Sequence, residues 1–237
     1  MIISNSQKYI FIHIQKTAGT SVMEALGRNL KWNDIEIGTD PEVHKFYREK
    51  YNLGKHSLAK EVKQVLGKEV WDNYFKFTFV RHPYSRAVSL YTYVQRMARA
   101  KYAKNRFPFY KRKDNSPFWS WLMTQAFLDS KNFSEFIRHE KFLNDFGAQS
   151  QSHWIFNKEE ETLVDFIGKY ENINIDFNKI LHKIDSAANK PSLKQINIST
   201  GKKEPEFYFK GEKDYKHLEK IYEQDFRVFD YDPNLRF

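Results

Sequence analysis

The chain has 237 residues, enough for one α/β domain with a substantial core, and its lack of cysteine excludes disulfide bridges and thiolate chemistry. Lysine and arginine number 39 against 30 acidic residues, and the formal net charge of +9 predicts an anionic partner: a nucleotide, an acidic glycan, a nucleic acid or a membrane surface. No apolar run reaches the roughly 20 residues of a membrane-spanning helix. We therefore expect one domain over residues 1–237, with a basic and aromatic insertion at about 96–130.

The first pattern along the chain is a strand, a loop and a helix within residues 8–30. Tyr9–Ile14 is almost entirely apolar, which is typical of a strand covered on both faces of a parallel sheet. The loop Gln15–Gly19 contains small residues, and the spacing of Ser21 and Glu24 predicts a capping box at the start of the helix.

A loop that ends at a helix N-terminus can bind an anion through unpaired backbone N–H groups. Lys16 would add a point charge, and the hydroxyls of Thr20 and Ser21 would add donors. The Walker loop of nucleotide triphosphatases does not match, because Lys16 precedes Gly19 and the first glycine of that motif is missing. The alternative is an ordinary strand–turn–helix with a solvated lysine.

Residues 31–54 are polar and aromatic, and we expect a loop region there with a short helix near Pro41–Tyr51. The next helix is predicted with Ser57 as its N-cap and with apolar residues at helical spacing: Leu58, Val62, Val65 and Leu66. His56 then lies at a helix N-terminus, whose positive dipole end keeps imidazole neutral. On position alone, His56 could equally be a surface histidine.

A second strand-to-helix turn follows the predicted strand Phe75–Val80, with Pro83 near the first helical position. Arg81 ends the strand and offers a bidentate fork for a phosphate. Ser89 lies roughly two helical turns further on, where its hydroxyl can point back to the same pocket. The alternatives are an Arg81–carboxylate pair and a small packing residue at Ser89.

Residues 96–113 contain eight cations and no acid, interleaved with aromatic residues: Arg96, Arg99, Lys101, Lys104, Arg106, Lys111, Arg112 and Lys113. This run predicts either a solvated face or a groove for a sulfated or carboxylated glycan. Nucleic acid would use the same chemistry. We do not expect it as the partner, because nothing in the run reads bases in a recognisable way.

Helical spacing further along predicts helices at Pro117–Leu128, Asn132–Phe146 and Tyr215–Phe229. A third strand is expected at Leu163–Tyr170, and a helix around Asp176–Ile184 should follow it.

Three segments together resemble the carbohydrate sulfotransferases, in particular the heparan sulfate 2-O/6-O-sulfotransferase branch. They are HIQKTAGTS at residues 13–21, the Arg81 and Ser89 pair, and DFIGKYEN at residues 165–172. The resemblance implies a P-loop-like, three-layer α/β sandwich with a mainly parallel central sheet flanked by helices. It also implies transfer of a sulfuryl group from 3′-phosphoadenosine 5′-phosphosulfate (PAPS) to a hydroxyl, which we expect to belong to a carbohydrate.

The resemblance assigns the donor to three groups of residues. The first loop would bind the 5′-phosphosulfate through Lys16, Thr17, Ala18, Gly19, Thr20 and Ser21. Arg81 and Ser89 would bind the 3′-phosphate. Asn197 and Ser199, in the stretch QINISTGKK, would close over the nucleotide, unless that stretch is simply a solvated loop.

The resemblance also implies catalytic roles. Lys16 would stabilise charge on the leaving phosphate, and His56 would act as general base, with His153 as the second choice. The candidates for acceptor binding are Arg96, Arg99, Lys101, Lys104, Arg106 and His153. We expect no metal, since no ligand cluster is evident in the sequence. Eukaryotic relatives usually carry a membrane anchor, so we expect a cytoplasmic, bacterial-type enzyme or a trimmed piece of an anchored one.

Two other function classes compete with this interpretation. A nucleotide kinase shares strand–loop–helix phosphate chemistry, although the position of Lys16 argues against it. A polyanion-binding protein without enzymatic activity could be built around the basic run, but it would leave both phosphate-type loops unexplained.

Overall fold

A computed structural model describes residues 1–104, 116–184, 193 and 205–236. Five strands form one mixed sheet in the order β3-β1-β2-β4-β5. The strands are β1 Ile2–Ser4, β2 Tyr9–Ile12, β3 Ile35–Glu36, β4 Phe75–Val80 and β5 Phe166–Lys169. β4 pairs in parallel with β2 and β5, whereas β1 runs antiparallel to β2 and β3. The predicted α/β fold, with a sheet that is parallel at its centre and flanked by helices, is confirmed.

The helices in the described part of the chain are α1 Gly19–Gly27, α2 Pro41–Tyr51, α3 Ala59–Asn73, α4 Pro83–Lys104, α5 Leu122–Asp129, α6 Phe133–Arg138, α7 Glu140–Leu143, α8 Ser152–Ile155, α9 Ile173–Lys183, α10 Glu212–Ile221 and α11 Glu223–Val228.

The chain forms two compact units. The first comprises Met1–Arg81 and Gln151–Thr200, and it contains the whole sheet. The second comprises His82–Ser150 and Gly201–Phe237. The single domain over residues 1–237, with an insertion at about 96–130, stays a prediction.

The core of the first unit lies where α1 and α9 pack on the sheet. α1 contributes Val22, Ala25 and Leu26, and α9 contributes Phe177 and Ile180. These side chains are almost fully buried against sheet residues that include Tyr9, Phe11, Phe77 and Phe79. Burying each such side chain contributes about 1.5–3 kcal/mol, so the core holds the ends of the strands in place.

The parallel arrangement brings the ends of several strands to one edge. β2, β4 and β5 run in the same direction, so His13, Arg81 and Tyr170 follow them at their carboxyl edge. β3 is antiparallel to β1, which is itself antiparallel to β2, so Gly38 follows β3 at this edge too. In open α/β sheets, ligands bind outside the carboxyl ends of the strands.

The second unit is packed around α4, whose Tyr84 and Tyr91 contact aromatic side chains of the other helices. Arg86, although near Arg81 in sequence, is buried in this unit. Its guanidinium donates hydrogen bonds to the carbonyls of Gly147 (2.7 Å) and Gln149 (2.9 Å). Arg86 therefore ties α4 to the 147–149 backbone.

Several predicted element boundaries are wrong. α1 begins at Gly19, so Ser21 lies inside its first turn and does not form the predicted capping box. Leu58, not Ser57, is the N-cap of α3, because the Ser57 hydroxyl accepts a hydrogen bond from the Gly54 N–H (3.0 Å). The three long helices predicted after residue 116 are each divided into shorter ones, and β5 is shorter than expected. β1 and β3 were not predicted.

Candidate active site

The loop between β2 and α1 has two residues in the left-handed region. Lys16 and Ala18 both have φ of 67°, which is uncommon for residues other than glycine. The Thr17 hydroxyl donates to the Ile14 carbonyl at 3.0 Å, and the N–H of Ser21 donates to the Ala18 carbonyl at 2.9 Å. These bonds fix the turn, and left-handed residues within a loop are typical of the backbone nests that bind anions.

The backbone N–H groups inside this turn are available to a ligand. Those of Thr17, Ala18, Gly19 and Thr20 donate no hydrogen bond to any described residue. Backbone donors that are left unpaired at the start of a helix favour an anion electrostatically and geometrically. The N–H groups of Thr17–Thr20 therefore form a cradle of donors of the kind that binds a phosphate or sulfate group. That Lys16 and Ser21 contribute side chains to this cradle stays a prediction.

Gly19 is required in this loop by the closeness of His13. A Cβ atom at Gly19 would lie 2.0 Å from Cδ2 and 2.1 Å from Nε2 of the buried His13 ring. His13 is also stacked on Phe11, with ring centroids 5.7 Å apart, and its Nδ1 lies 3.2 Å from the sulfur of Met23. The imidazole thus fills the space directly beneath the cradle.

His13 also contacts His56 from the segment between α2 and α3. The two rings meet edge to face with centroids 4.6 Å apart, and Nδ1 of His56 lies 2.8 Å from the His13 carbonyl oxygen. A carbonyl oxygen can only accept, so Nδ1 of His56 carries the proton. This tautomer leaves a lone pair on Nε2, which makes no hydrogen bond within the described part of the chain.

Burial keeps both histidines neutral. It lowers the pKa of His56 to about 3, although the hydrogen bond to the His13 carbonyl acts in the opposite direction. Burial and the neighbouring His56 hold the pKa of His13 well below its ordinary value. The amino terminus of Met1, Lys55 and Lys16 also lower the pKa of each ring. At neutral pH, His56 is therefore an unprotonated imidazole in a cationic environment.

Trp154 of α8 holds the backbone next to this histidine. Its indole N–H donates to the His56 carbonyl at 3.0 Å. The neighbouring His153, the second choice for the base, is exposed, and its main charged neighbours are Lys60 and Glu61. Burial lowers the pKa of His153 as well.

Arg81 is fixed at the end of β4 by a pair of backbone hydrogen bonds. Its N–H donates to Oε1 of Gln151, and Nε2 of Gln151 donates to its carbonyl, both at 2.8 Å. The side chain of Gln151 is fully buried. The guanidinium of Arg81 lies over the ring of Tyr170, 4.2 Å from the centroid. A cation–π contact of this kind orients the guanidinium.

The match to known proteins covers nearly the whole chain. A model described as "Sulfotransferase family" matches residues 1–232. The chain belongs to the sulfotransferase family. A relative from Archaeoglobus fulgidus, named only as an uncharacterized protein, is 25% identical over 126 residues, which are 52% of this chain and 78% of that protein. No solved structure matches this sulfotransferase.

Family membership makes the enzyme a transferase of sulfuryl groups, and it implies a hydroxyl acceptor. The predicted resemblance to sulfotransferases is thereby confirmed. In the described ranges, no helix is both long and apolar enough to cross a bilayer. No group of three or more metal-binding side chains occurs in those ranges.

The other predicted site residues of this sulfotransferase belong to the second unit or fall outside the described residues. Ser89 is partly buried on α4 in the second unit. On the same helix, Arg96 and Arg99 are exposed, and Nζ of Lys101 lies 5.7 Å from the centroid of the Phe118 ring. The side chain of Lys104 and the residues Arg106, Asn197 and Ser199 lie outside the described residues. Their roles stay predictions.

Four residues that lie at this site had no predicted role: His13, Lys55, Gln151 and Tyr170. His13 had a sequence signal, because it is the one polar side chain in the apolar run Tyr9–Ile14. Gln151 and Tyr170 approach Arg81 from distant parts of the chain, so no local pattern could have paired them.

Proposed function

We propose that this sulfotransferase moves a sulfuryl group from PAPS to a hydroxyl group of a carbohydrate. One arrangement carries the proposal: the buried His13 ring contacts both Gly19 of the loop and the neutral His56. Neither Nε2 of His56 nor the N–H groups of Thr17–Thr20 form a hydrogen bond with a described residue. An anion cradle and a proton acceptor thus share one structural support.

The chemistry of the cradle fits the donor. The N–H groups of Thr17–Thr20 and the ammonium of Lys16 would hold the 5′-phosphosulfate, and the guanidinium of Arg81 would hold the 3′-phosphate. When bound, PAPS supplies an activated sulfuryl group whose leaving group is a phosphate. Lys16 would stabilise the charge that develops on that leaving group.

His56 would take the proton of the acceptor hydroxyl on Nε2, since Nδ1 is already committed to the His13 carbonyl. A pKa of about 3 makes the imidazole a weak base in the protein alone. A bound polyanion would offset the positive charges of Lys16 and Lys55 and raise this pKa toward the range useful for catalysis. Donor binding would in this way prepare the base.

A carbohydrate acceptor is supported by the face of α2. This helix has no buried residue, and its Phe46 and Tyr51 are 49% and 38% exposed. Both rings form a cluster with Tyr47, and Nζ of Lys50 lies 5.3 Å from the centroid of the Phe46 ring. Exposed rings beside cations suit the apolar faces and acidic groups of sugars.

The test is isothermal titration with 3′-phosphoadenosine 5′-phosphate (PAP), AMP and ATP with Mg²⁺. We expect PAP to bind at least about tenfold more tightly than AMP, since a phosphate with a charge-assisted partner is worth about that factor. Arg81→Gln should weaken PAP binding and leave AMP binding unchanged. Equal binding of PAP and AMP would refute the 3′-phosphate assignment, and binding of ATP alone would favour a kinase.

A further inference from the structure

Lys55 directly precedes His56 and lies at the carboxyl edge of the sheet. A Cβ atom at Gly38 would lie 2.5–2.7 Å from Cβ, Cγ and Cδ of Lys55, so the lysine stem runs across this glycine. Gly38 has φ of 105° and follows β3. The stem is therefore held in place, and any substitution of Gly38 would displace it.

The ammonium of Lys55 contacts no counter-ion among the described residues. The residue is partly buried, and it forms neither a hydrogen bond nor an ion pair with any residue in the described ranges. The Glu36 carboxylate raises the pKa of Lys55 electrostatically, but the two side chains form no ion pair. Glu36 instead accepts a hydrogen bond from the Thr39 hydroxyl at 2.6 Å. Burial lowers the pKa of Lys55. A partly desolvated cation without a partner costs free energy that an anionic ligand would return.

The position of Lys55 complements that of Lys16. Both lysines act electrostatically on His13 and on His56. Lys16 belongs to the loop after β2, whereas the stem of Lys55 crosses Gly38, the second residue after β3. Only β1 separates these two strands. Strand spacing puts β2 and β3 roughly 10 Å apart. The two cations thus approach the histidine pair from different strands.

We propose that Nζ of Lys55 binds the oxygen atoms of the donor's sulfuryl group. The inference rests on the proposed function. In this arrangement, Lys16 and the loop bind the leaving phosphate, whereas Lys55 binds the sulfuryl group that is transferred. Lys55 suits the second task because it neighbours His56 along the chain, and His56 acts on the hydroxyl that attacks sulfur.

The test compares PAPS with PAP, which lacks the sulfuryl group, by isothermal titration. Lys55→Met keeps the length of the stem over Gly38 and removes the charge. The matched control is Lys63→Met, which removes a charge from an exposed position on α3. We expect Lys55→Met to weaken PAPS binding about tenfold or more and to change PAP binding less than about twofold. The control should change neither affinity.

Three outcomes would overturn the inference. If Lys55→Met binds PAPS as tightly as the wild-type protein does, Lys55 does not contact the sulfuryl group. If the affinities for PAPS and PAP fall equally, Lys55 contributes only to the overall positive potential or to the shape of the site. Failure of the wild-type protein to bind either nucleotide would refute the proposed function itself.

We expect Lys55→Met to melt at or above the temperature of the wild-type protein, because the substitution removes an ammonium that pairs with no described residue.

Discussion

The contact between Gly19 and His13 gives the sharpest test of how the site is built. In Gly19→Ala, the new methyl carbon would lie 2.0 Å from Cδ2 of His13, whereas ordinary contacts begin at 3.4 Å. The imidazole or the loop must therefore move by about 1.4 Å. His13 is buried against Phe11 and Met23, so the ring has little room to move. Overpacking of this kind costs about 1–3 kcal/mol.

The measurement is urea unfolding of four proteins: wild type, Gly19→Ala, His13→Ala and the double variant. Because His13→Ala removes the ring that the methyl group meets, the two substitutions should not add. We expect the free energy of unfolding of the double variant to be about 1–2 kcal/mol higher than the value obtained by adding the losses of the two single variants. PAP binding should be lost or strongly weakened in Gly19→Ala, since the N–H groups of the loop move with it.

Gly27→Ala is the matched control. Gly27 lies in the same helix, its φ is ordinary, and the nearest atom to a new Cβ would be a Glu36 carboxylate oxygen at 3.5 Å. We expect this variant to be as stable as the wild-type protein or more stable by up to about 1 kcal/mol. A Gly19→Ala protein as stable as Gly27→Ala, or strict additivity with His13→Ala, would show that the His13 ring does not limit the loop.

Two further predictions concern Lys16 and His56. Lys16→Met should lower the turnover of PAPS in steady-state kinetics about 100-fold, and it should weaken PAP binding in calorimetry far less. Lys63→Met is the control, and unchanged turnover in Lys16→Met would show that Lys16 takes no part in the reaction. The pKa of His56 is about 3 in the folded protein and about 6.5 in the unfolded chain. The unfolded chain therefore binds the proton first, and the folded protein loses stability as the pH drops from about 6.5 toward 3. We expect the free energy of unfolding, measured with urea, to fall between pH 7.5 and pH 5, and to fall by up to about 2 kcal/mol less in His56→Gln than in the wild-type protein. Equal falls in the two proteins would contradict the low pKa.

The sequence alone determined the features that depend on neighbouring residues. An apolar strand, a loop of small residues and an amphipathic helix follow one another directly, so the phosphate-type loop at residues 15–21 could be recognised without the fold. The helix at Pro41–Tyr51 was predicted correctly because Pro41 and Asp40 are strong local start signals. The parallel centre of the sheet was implied by the resemblance to the carbohydrate sulfotransferases and by the apolar run Tyr9–Ile14.

Local patterns failed where a distant contact decides the backbone. The capping box predicted at Ser21 and Glu24 is absent because α1 starts at Gly19, where the absence of a side chain lets His13 approach. β1 and β3 are too short to carry a periodic signal, and they exist because each pairs with a neighbouring strand.

Only the tertiary structure decided how the site is assembled. His13 and His56 are 43 positions apart, and Arg81 and Gln151 are 70 apart, yet each pair is joined by hydrogen bonds of 2.8 Å. The directions of the strands cause this, because β2, β3, β4 and β5 run the same way and end at one edge of the sheet. The tautomer of His56, its low pKa and the position of Lys55, which pairs with no described residue, all follow from that convergence. Burial and hydrogen-bond partners are set by residues that the sequence keeps far apart.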